Sequence, residues 1–342
     1  MKKKALVIAP GRGTYNKAEL GYLHRHHGDK ADLIADLDRL RQAAGQVTLS
    51  ELDQASRFVL STYSRGDNAS SLIHACAYAD FLSIDRRQYD IAAITGNSMG
   101  WYIALGCAGA LSPSDSFTLI NTMGTLMHEA SIGGQMIYPF VDDHWFPIPG
   151  KREELLRYTD EISDLYLSIQ LGGMIVFGGS SEALNELERR LEPLGDRFPM
   201  RLANHAAFHT PLQHPVSAQG RKMLPVSMFK SFDIPLIDGR GHVWYPQSTD
   251  NESLWSYTLG HQVVAPYVFS SSVINGVKEF APDVVIVLGP GTTLGGAVAQ
   301  ALIQHRWKGL QSKDDFIERQ GTDPLVLAMG MDAQRELVTS GA

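Results

Sequence analysis

The sequence predicts an α/β protein whose parallel sheet is covered on both faces, and three observations predict it. Short apolar runs recur at residues 4–9, 91–95 and 283–288, each ends at a glycine-containing turn, and helical patterns follow the second and third. Strands buried on both faces read as continuous apolar runs, and alternation with helices makes the sheet parallel. Ligands of such sheets gather at the carboxyl ends of the strands. Pro10-Gly11-Arg12-Gly13, Gly96 and Gly289-Pro290-Gly291 fall at those ends.

The first strand (4–9) runs straight into the turn at Pro10. The second (91–95) leads through Gly96 into a helix expected over 99–110, and the third (283–288) into one over 294–303. Residues 132–204 differ: strands are expected at 132–138 and 173–178, with a charged helical stretch (151–165) between them and a second helix (181–194) after. That order suggests a small α+β subdomain, 132–204, inserted into a core made of 1–131 and 205–310. From Gln311 onward the chain is polar with little periodicity, and 311–342 reads as a surface tail.

Composition bounds the function. At about 150 residues per domain, 342 residues make about two units or one large domain with an insertion. A 44% hydrophobic share with 20% charge supplies a core and excludes a disordered chain. With 30 basic against 37 acidic residues the net charge is −7, which argues against nucleic acid as a partner. Cys76 and Cys107 are too few for a disulfide framework or a four-thiolate zinc site. The basic start resembles a signal peptide, but its apolar run stops at Pro10-Gly11, and no run approaches the ~18 apolar residues of a membrane span. The expectation is a soluble, cytoplasmic protein with no membrane partner.

Chemistry concentrates at Gly96-Asn97-Ser98-Met99-Gly100, a G-x-S-x-G between a strand and a helix. A serine on that tight turn is held in a strained conformation, and only small residues at both ends tolerate the close approach. The next helix aims its N-terminal N–H groups at the serine, which puts the Met99 N–H in place to donate to an oxyanion. One such donor is worth about 10²–10³ in rate. The serine needs a base. Among 12 histidines, His209 stands out because Pro211 fixes the loop that carries it, with His205, His214 and His128 as weaker alternatives. His205 and His209 sit four apart but lack the helical H-E-x-x-H context of a zinc pair, and no metal site is expected.

Taken together, these segments resemble the malonyl-CoA:acyl carrier protein transacylase family, which includes the acyltransferase domains of polyketide synthases. Pro10-Gly11-Arg12-Gly13-Thr14 is similar to its PGQGSQ, Gly96 to Leu105 (GNSMGWYIAL) to its GHSLGEYxAL, and Phe208-His209-Thr210-Pro211-Leu212 to its FHSPL. Gln262 with Pro266 resembles its Q-L-x-x-P-V-R-W, and Leu288-Gly289-Pro290-Gly291 matches its LGPG. The likeness runs over roughly 4–305. It implies an α/β-hydrolase-like core with a ferredoxin-like insertion. It also implies Ser98 as the acylated nucleophile, His209 as the base, the Gln262 carbonyl orienting that histidine, and the Met99 and Arg12 N–H groups as the oxyanion hole. No permanent cofactor is implied. An acyl-CoA donates the acyl group, and the phosphopantetheine thiol of an acyl carrier protein, the partner, accepts it.

The chain departs from the family where malonate is gripped. Met123 stands in Leu119-Ile120-Asn121-Thr122-Met123-Gly124 at the place of the family's arginine. A thioether cannot pair with a carboxylate, and an unpaired buried charge is costly. A neutral acyl group packed against Met123 is expected instead, unless another cation such as Arg240 substitutes. Asn97 replaces the family's histidine before the serine, Trp101 replaces its glutamate, and Phe208 resembles the bulky residue of small-acyl pockets; Met123, Phe208 and Asn97 are the expected acyl-pocket residues.

Three other readings compete. The same dyad transferring to water would be a thioesterase, and a conventional triad would add an acid such as Asp196. Gly289-Pro290-Gly291 has the setting of a nucleotide loop, but its first following acid is Asp314 in the tail, and no Walker lysine is present. A scaffold that only docks a carrier protein has no need of both Ser98 and His209. Arg189-Arg190 and Arg221-Lys222 are basic pairs that could face an acidic carrier protein.

Overall fold

The computed structural model describes residues 2–339, so Met1 and the last three residues of the expected tail lie outside it. Among the described residues, ten strands form two sheets. In chain order they are β1 (Lys3–Ala9), β2 (Tyr89–Gly96), β3 (Gly134–Pro139), β4 (Leu165–Leu171), β5 (Met174–Gly179) and β6 (Met200–Arg201), then β7 (Leu236–Ile237), β8 (Val243–Trp244), β9 (Val284–Val287) and β10 (Val326–Ala328). The larger sheet has the order β10-β9-β1-β2-β7-β8. Every pair in it is parallel except β7 with β8. Ala5 to Ala9 of β1 and all of β9 are buried, as strands with helices on both faces must be.

The expected strand at 91–95 is longer at both ends, and the helix expected over 99–110 is Gly100–Cys107, with every residue buried. Two further helices shape the site. Pro113–Ala130 starts at Ser112, whose side chain accepts from the Asp115 N–H, with Pro113 in the first turn. Gly66–Ser83 packs against it so closely that a Cβ on Gly124 would lie 2.6 Å from the Gly66 carbonyl oxygen. Sequence reading missed this helix because it buries Asp67, Asn68, Ser70, Ser71, His74 and Asp80 along with its apolar residues, leaving no apolar stripe.

The smaller sheet is antiparallel, order β4-β5-β3-β6. Its chain order is strand, helix (Lys151–Glu161), strand, strand, helix (Ser181–Arg190), strand, the connectivity of a split β-α-β unit. Sequence reading missed two of its strands: β4, which starts at Leu165, the last residue of the expected charged helix, and the two-residue β6.

The segment after Gln311 is not a surface appendage. It forms a helix (Lys313–Thr322), the edge strand β10 and a last helix (Asp332–Val338), and β10 is buried against β9. A three-residue strand is too short to show a period. No helix among the described residues is long and apolar enough to cross a membrane.

Candidate active site

The loops after β1 and β2 lie side by side, because Ala9 pairs with Gly96 in register. Ser98 caps the β2 turn at φ 56°. Both flanking glycines are required: a Cβ on Gly96 would collide with the Gly100 carbonyl, and one on Gly100 with the Ala9 carbonyl oxygen.

His209 meets this serine from 111 residues downstream. Its Nε2 is 2.6 Å from Ser98 Oγ, and its Nδ1 is 2.6 Å from the Gln262 carbonyl oxygen. A carbonyl only accepts, so Nδ1 carries the proton and Nε2 presents its lone pair to the Ser98 hydroxyl. Burial lowers the His209 pKa to about 4, although the Gln262 carbonyl favours the charged form. The imidazole is therefore neutral at physiological pH and able to accept a proton.

Gln262 does more than orient the ring. Its Nε2 donates to the Ser98 carbonyl at 3.1 Å, and its Oε1 accepts from the Tyr102 hydroxyl at 2.8 Å. It follows directly on a π-helical turn, Tyr257–His261. Tyr267 lies 5.2 Å from the His209 ring, and its hydroxyl donates to the Gly96 carbonyl at 2.5 Å. Tyr267 carried no sequence signal, and Tyr102 only its place in the family-like segment at 96–105.

A buried hydrogen-bond chain supports the histidine loop. His205 Nδ1 is 2.7 Å from Gln135 Oε1, Gln135 Nε2 donates to Ser168 Oγ at 2.6 Å, and Ser168 Oγ donates to the Phe208 carbonyl at 2.6 Å. β3 and β4 thus hold the residue before His209. His205 is kept neutral by burial and by the nearby Arg12, which together push its pKa well down. It faces the cleft and does not pair with Ser98. His214 is exposed, His128 lies on Pro113–Ala130, and Asp196 is exposed outside the site.

Among the described residues, the backbone N–H groups of Arg12 and Met99 donate to no protein acceptor. They are free for a substrate oxygen. A pocket opens beside Ser98 and His209, walled by Met123, Ile120, Met127 and Phe208, with Arg12 at its edge. Met123 is 1% exposed. Arg240 does not reach this pocket: it pairs with Asp238 at 2.5 Å and lies over Tyr257. Asn97 differs from expectation as well, lining the neighbouring cleft rather than the pocket, with its Oδ1 buried and unpartnered. Trp101 is sealed in the core, donating to Thr258 Oγ1. The cleft runs from Ser98 between the smaller sheet and helix Leu294–Gln304, past Ile137, Ile169 and Met174 on one side and Leu294, Ala297 and Gln300 on the other.

No protein-family model matches the sequence. The malonyl CoA-acyl carrier protein transacylase of Bacillus subtilis (strain 168) is 25% identical over 224 residues, 64% of this chain and 67% of that protein. An acyl-carrier-protein S-malonyltransferase from Burkholderia pseudomallei 1710b superposes with a TM-score of 0.76 at 18% identity, over 98% of this chain and 99% of that one. A malonyl-transacylase solved in complex with its type II polyketide synthase acyl carrier protein superposes at 0.75 with 16% identity, over 99% of each chain. The curated relatives and structural neighbours of this chain are malonyl-CoA:acyl carrier protein transacylases, and it has their fold.

Proposed function

We propose that this protein is an acyltransferase that carries an acyl group from coenzyme A to the phosphopantetheine thiol of an acyl carrier protein, in fatty-acid or polyketide assembly. The observation that carries this reading is the hydrogen-bonded line from Ser98 Oγ through the His209 ring to the Gln262 carbonyl. His209 Nε2 takes the Ser98 proton as Oγ attacks the thioester carbon. The carbonyl oxygen becomes an oxyanion held by the Arg12 and Met99 N–H groups. Collapse breaks the carbon–sulfur bond, and the departing thiolate takes the proton from His209. The second half mirrors the first: His209 takes the proton of the incoming thiol, sulfur attacks the acyl carbon, and Ser98 Oγ leaves with that proton. No cofactor is needed for either half.

The acyl group is neutral in this reading. The pocket wall at Met123 offers a thioether where a substrate carboxylate would need a cation, Arg240 is committed to Asp238, and the Arg12 guanidinium at the pocket edge is engaged by the Ser64 and Asn204 carbonyls. Intact-mass measurement after mixing with acyl-CoAs tests both points. Wild-type protein should gain one acyl group, Ser98→Ala none, and acetyl-CoA should label faster than malonyl-CoA. Equal labelling of Ser98→Ala overturns the nucleophile, and a malonyl preference overturns the neutral acyl group. If the adduct then decays to water as fast as to a carrier-protein thiol, the protein is a thioesterase.

A further inference from the structure

Three cavities meet at Arg12. The residue lines the acyl pocket, the cleft, and a third cavity of about 720 Å³, open mouth included. The third cavity is walled by Tyr15, Phe58, Tyr63, Ala69, Ile73 and Met200. Tyr63 stacks on Phe58 at 4.6 Å and on Tyr15 at 5.9 Å, so one wall is aromatic. Helix Gly66–Ser83 turns Ala69 and Ile73 toward this cavity and Ser70 toward the acyl pocket. Residues adjacent in one helix thus line both spaces, and Arg12 belongs to both walls.

The guanidinium is held there by loop carbonyls. Arg12 Nη2 donates to the Ser64 carbonyl at 2.6 Å and to the Asn204 carbonyl at 3.2 Å, and Asn204 Nδ2 donates to Ser64 Oγ at 2.5 Å. The guanidinium also lies 5.3 Å from the centre of the Phe208 ring. Among the described residues no carboxylate pairs with it within 4.0 Å. A side chain anchored on two loop carbonyls spans the seam between those loops, and the space behind it is walled mostly by apolar side chains, with Asn16, Ser64, Arg201 and His205 as its polar members.

We propose that Arg12 is the chain-length determinant of this enzyme: its guanidinium confines the acyl group on Ser98 to a short pocket, and the aromatic cavity behind it fits the tail of an unbranched medium-length acyl chain once that side chain is removed. The inference rests on Ser98 being acylated. Burying more methylenes is favourable only where there is space for them, and Arg12 occupies that space.

The test is the rate of Ser98 labelling by acetyl-, butyryl- and octanoyl-CoA, with the octanoyl/acetyl ratio as readout, so that a general loss of activity cancels. Wild-type protein should label with octanoyl at least about tenfold more slowly than with acetyl, and Arg12→Ala should raise the ratio by at least about tenfold, the discrimination that a few methylenes in an apolar pocket provide. Adding Ile73→Trp to Arg12→Ala should fill the cavity and reverse the gain, while Ile73→Trp alone leaves acetyl labelling in place. A wild-type ratio near one, an unchanged ratio in Arg12→Ala, or no reversal by Ile73→Trp in a folded protein each overturn the proposal. So does a selective loss of malonyl labelling in Arg12→Ala without an octanoyl gain, which would make Arg12 a carboxylate binder. Absence of any Ser98 adduct in wild type overturns the transferase reading and the inference with it, whereas an unchanged ratio overturns the inference alone.

Discussion

Ser98 and His209 both stand at φ 56°, a left-handed conformation that costs a non-glycine residue about 1–3 kcal/mol. Each is held there by its surroundings: Ser98 by the two flanking glycines and the Gln262 amide, His209 by the Gln262 carbonyl and the short turn that begins at Pro211. The strain puts the two side chains within proton-transfer distance. The sequence disclosed these two residues because the constraints on them are residue types, glycine on either side of one and proline after the other. It disclosed the Gln262 carbonyl only through family resemblance, since every residue has a carbonyl. The roles of Tyr102 and Tyr267 stayed hidden because nothing local marks a hydroxyl that donates across 160 or 171 residues. The low pKa of His209 gives a prediction at this scale. A base with a pKa of about 4 is already deprotonated at pH 6, so the single-turnover acylation rate should vary by less than about twofold between pH 6 and 8. An ordinary histidine would give a rise centred near 6.5, and that profile would rule out the buried, neutral base. The same shift has a sign for stability. The unfolded chain binds a proton at His209 below about pH 6.5 and the folded protein does not until about pH 4. Stability is therefore present above 6.5 and lost as pH falls through that window.

At the scale of elements, the split between the sheets explains which parts were legible. Buried parallel strands and the helix after β2 announce themselves as apolar runs between glycines. Helix Gly66–Ser83 and strand β4 did not, because one buries polar residues and the other begins at the last residue of the expected charged helix. Yet β4 matters to the site. Ser168 on β4 and Gln135 on β3 carry the hydrogen bonds that end on the Phe208 carbonyl, one peptide before His209. Replacing Ser168 by alanine leaves that buried carbonyl without its donor, a loss worth about 1–3 kcal/mol. Because catalysis is sensitive to sub-ångström placement of the base, Ser168→Ala should slow acylation of Ser98 by about tenfold with little change in the apparent affinity for acyl-CoA. Rapid-quench labelling across an acyl-CoA concentration series separates these terms. A variant with the wild-type maximal rate would show that the small sheet does not position His209.

Across the whole molecule, the C-terminal segment is locked to the core through one buried anion. Asp80, fully buried on helix Gly66–Ser83, accepts from His27 Nε2 at 2.8 Å, the Tyr22 hydroxyl at 2.8 Å, the Gly289 N–H at 2.7 Å, and Arg335 Nη2 from the last helix. Burial alone would raise the Asp80 carboxyl, but His27 and Arg335 hold it below the usual carboxylate range. Arg335 also donates to the Tyr22 hydroxyl at 2.7 Å and to the Met329 carbonyl, just beyond β10, at 3.0 Å. Gly289 opens the loop in which Gly291 sits so close to Thr14 that a Cβ there would collide with the Thr14 carbonyl oxygen, so the same network adjoins the segment that bears Arg12. Removing one partner of a buried ion pair costs about 3–5 kcal/mol, because the remaining charge is left uncompensated. Arg335→Leu should therefore lower the unfolding free energy by that amount in urea titrations, with β10 detaching first and its amides exchanging faster with deuterium than those of β1. Removing the charge as well, in Asp80→Asn with Arg335→Leu, should restore part of the loss, since no buried anion then lacks its partner. If the double variant is as unstable as the sum of the two single variants, the residues do not couple, and the C-terminal segment is held by apolar packing of β10 alone.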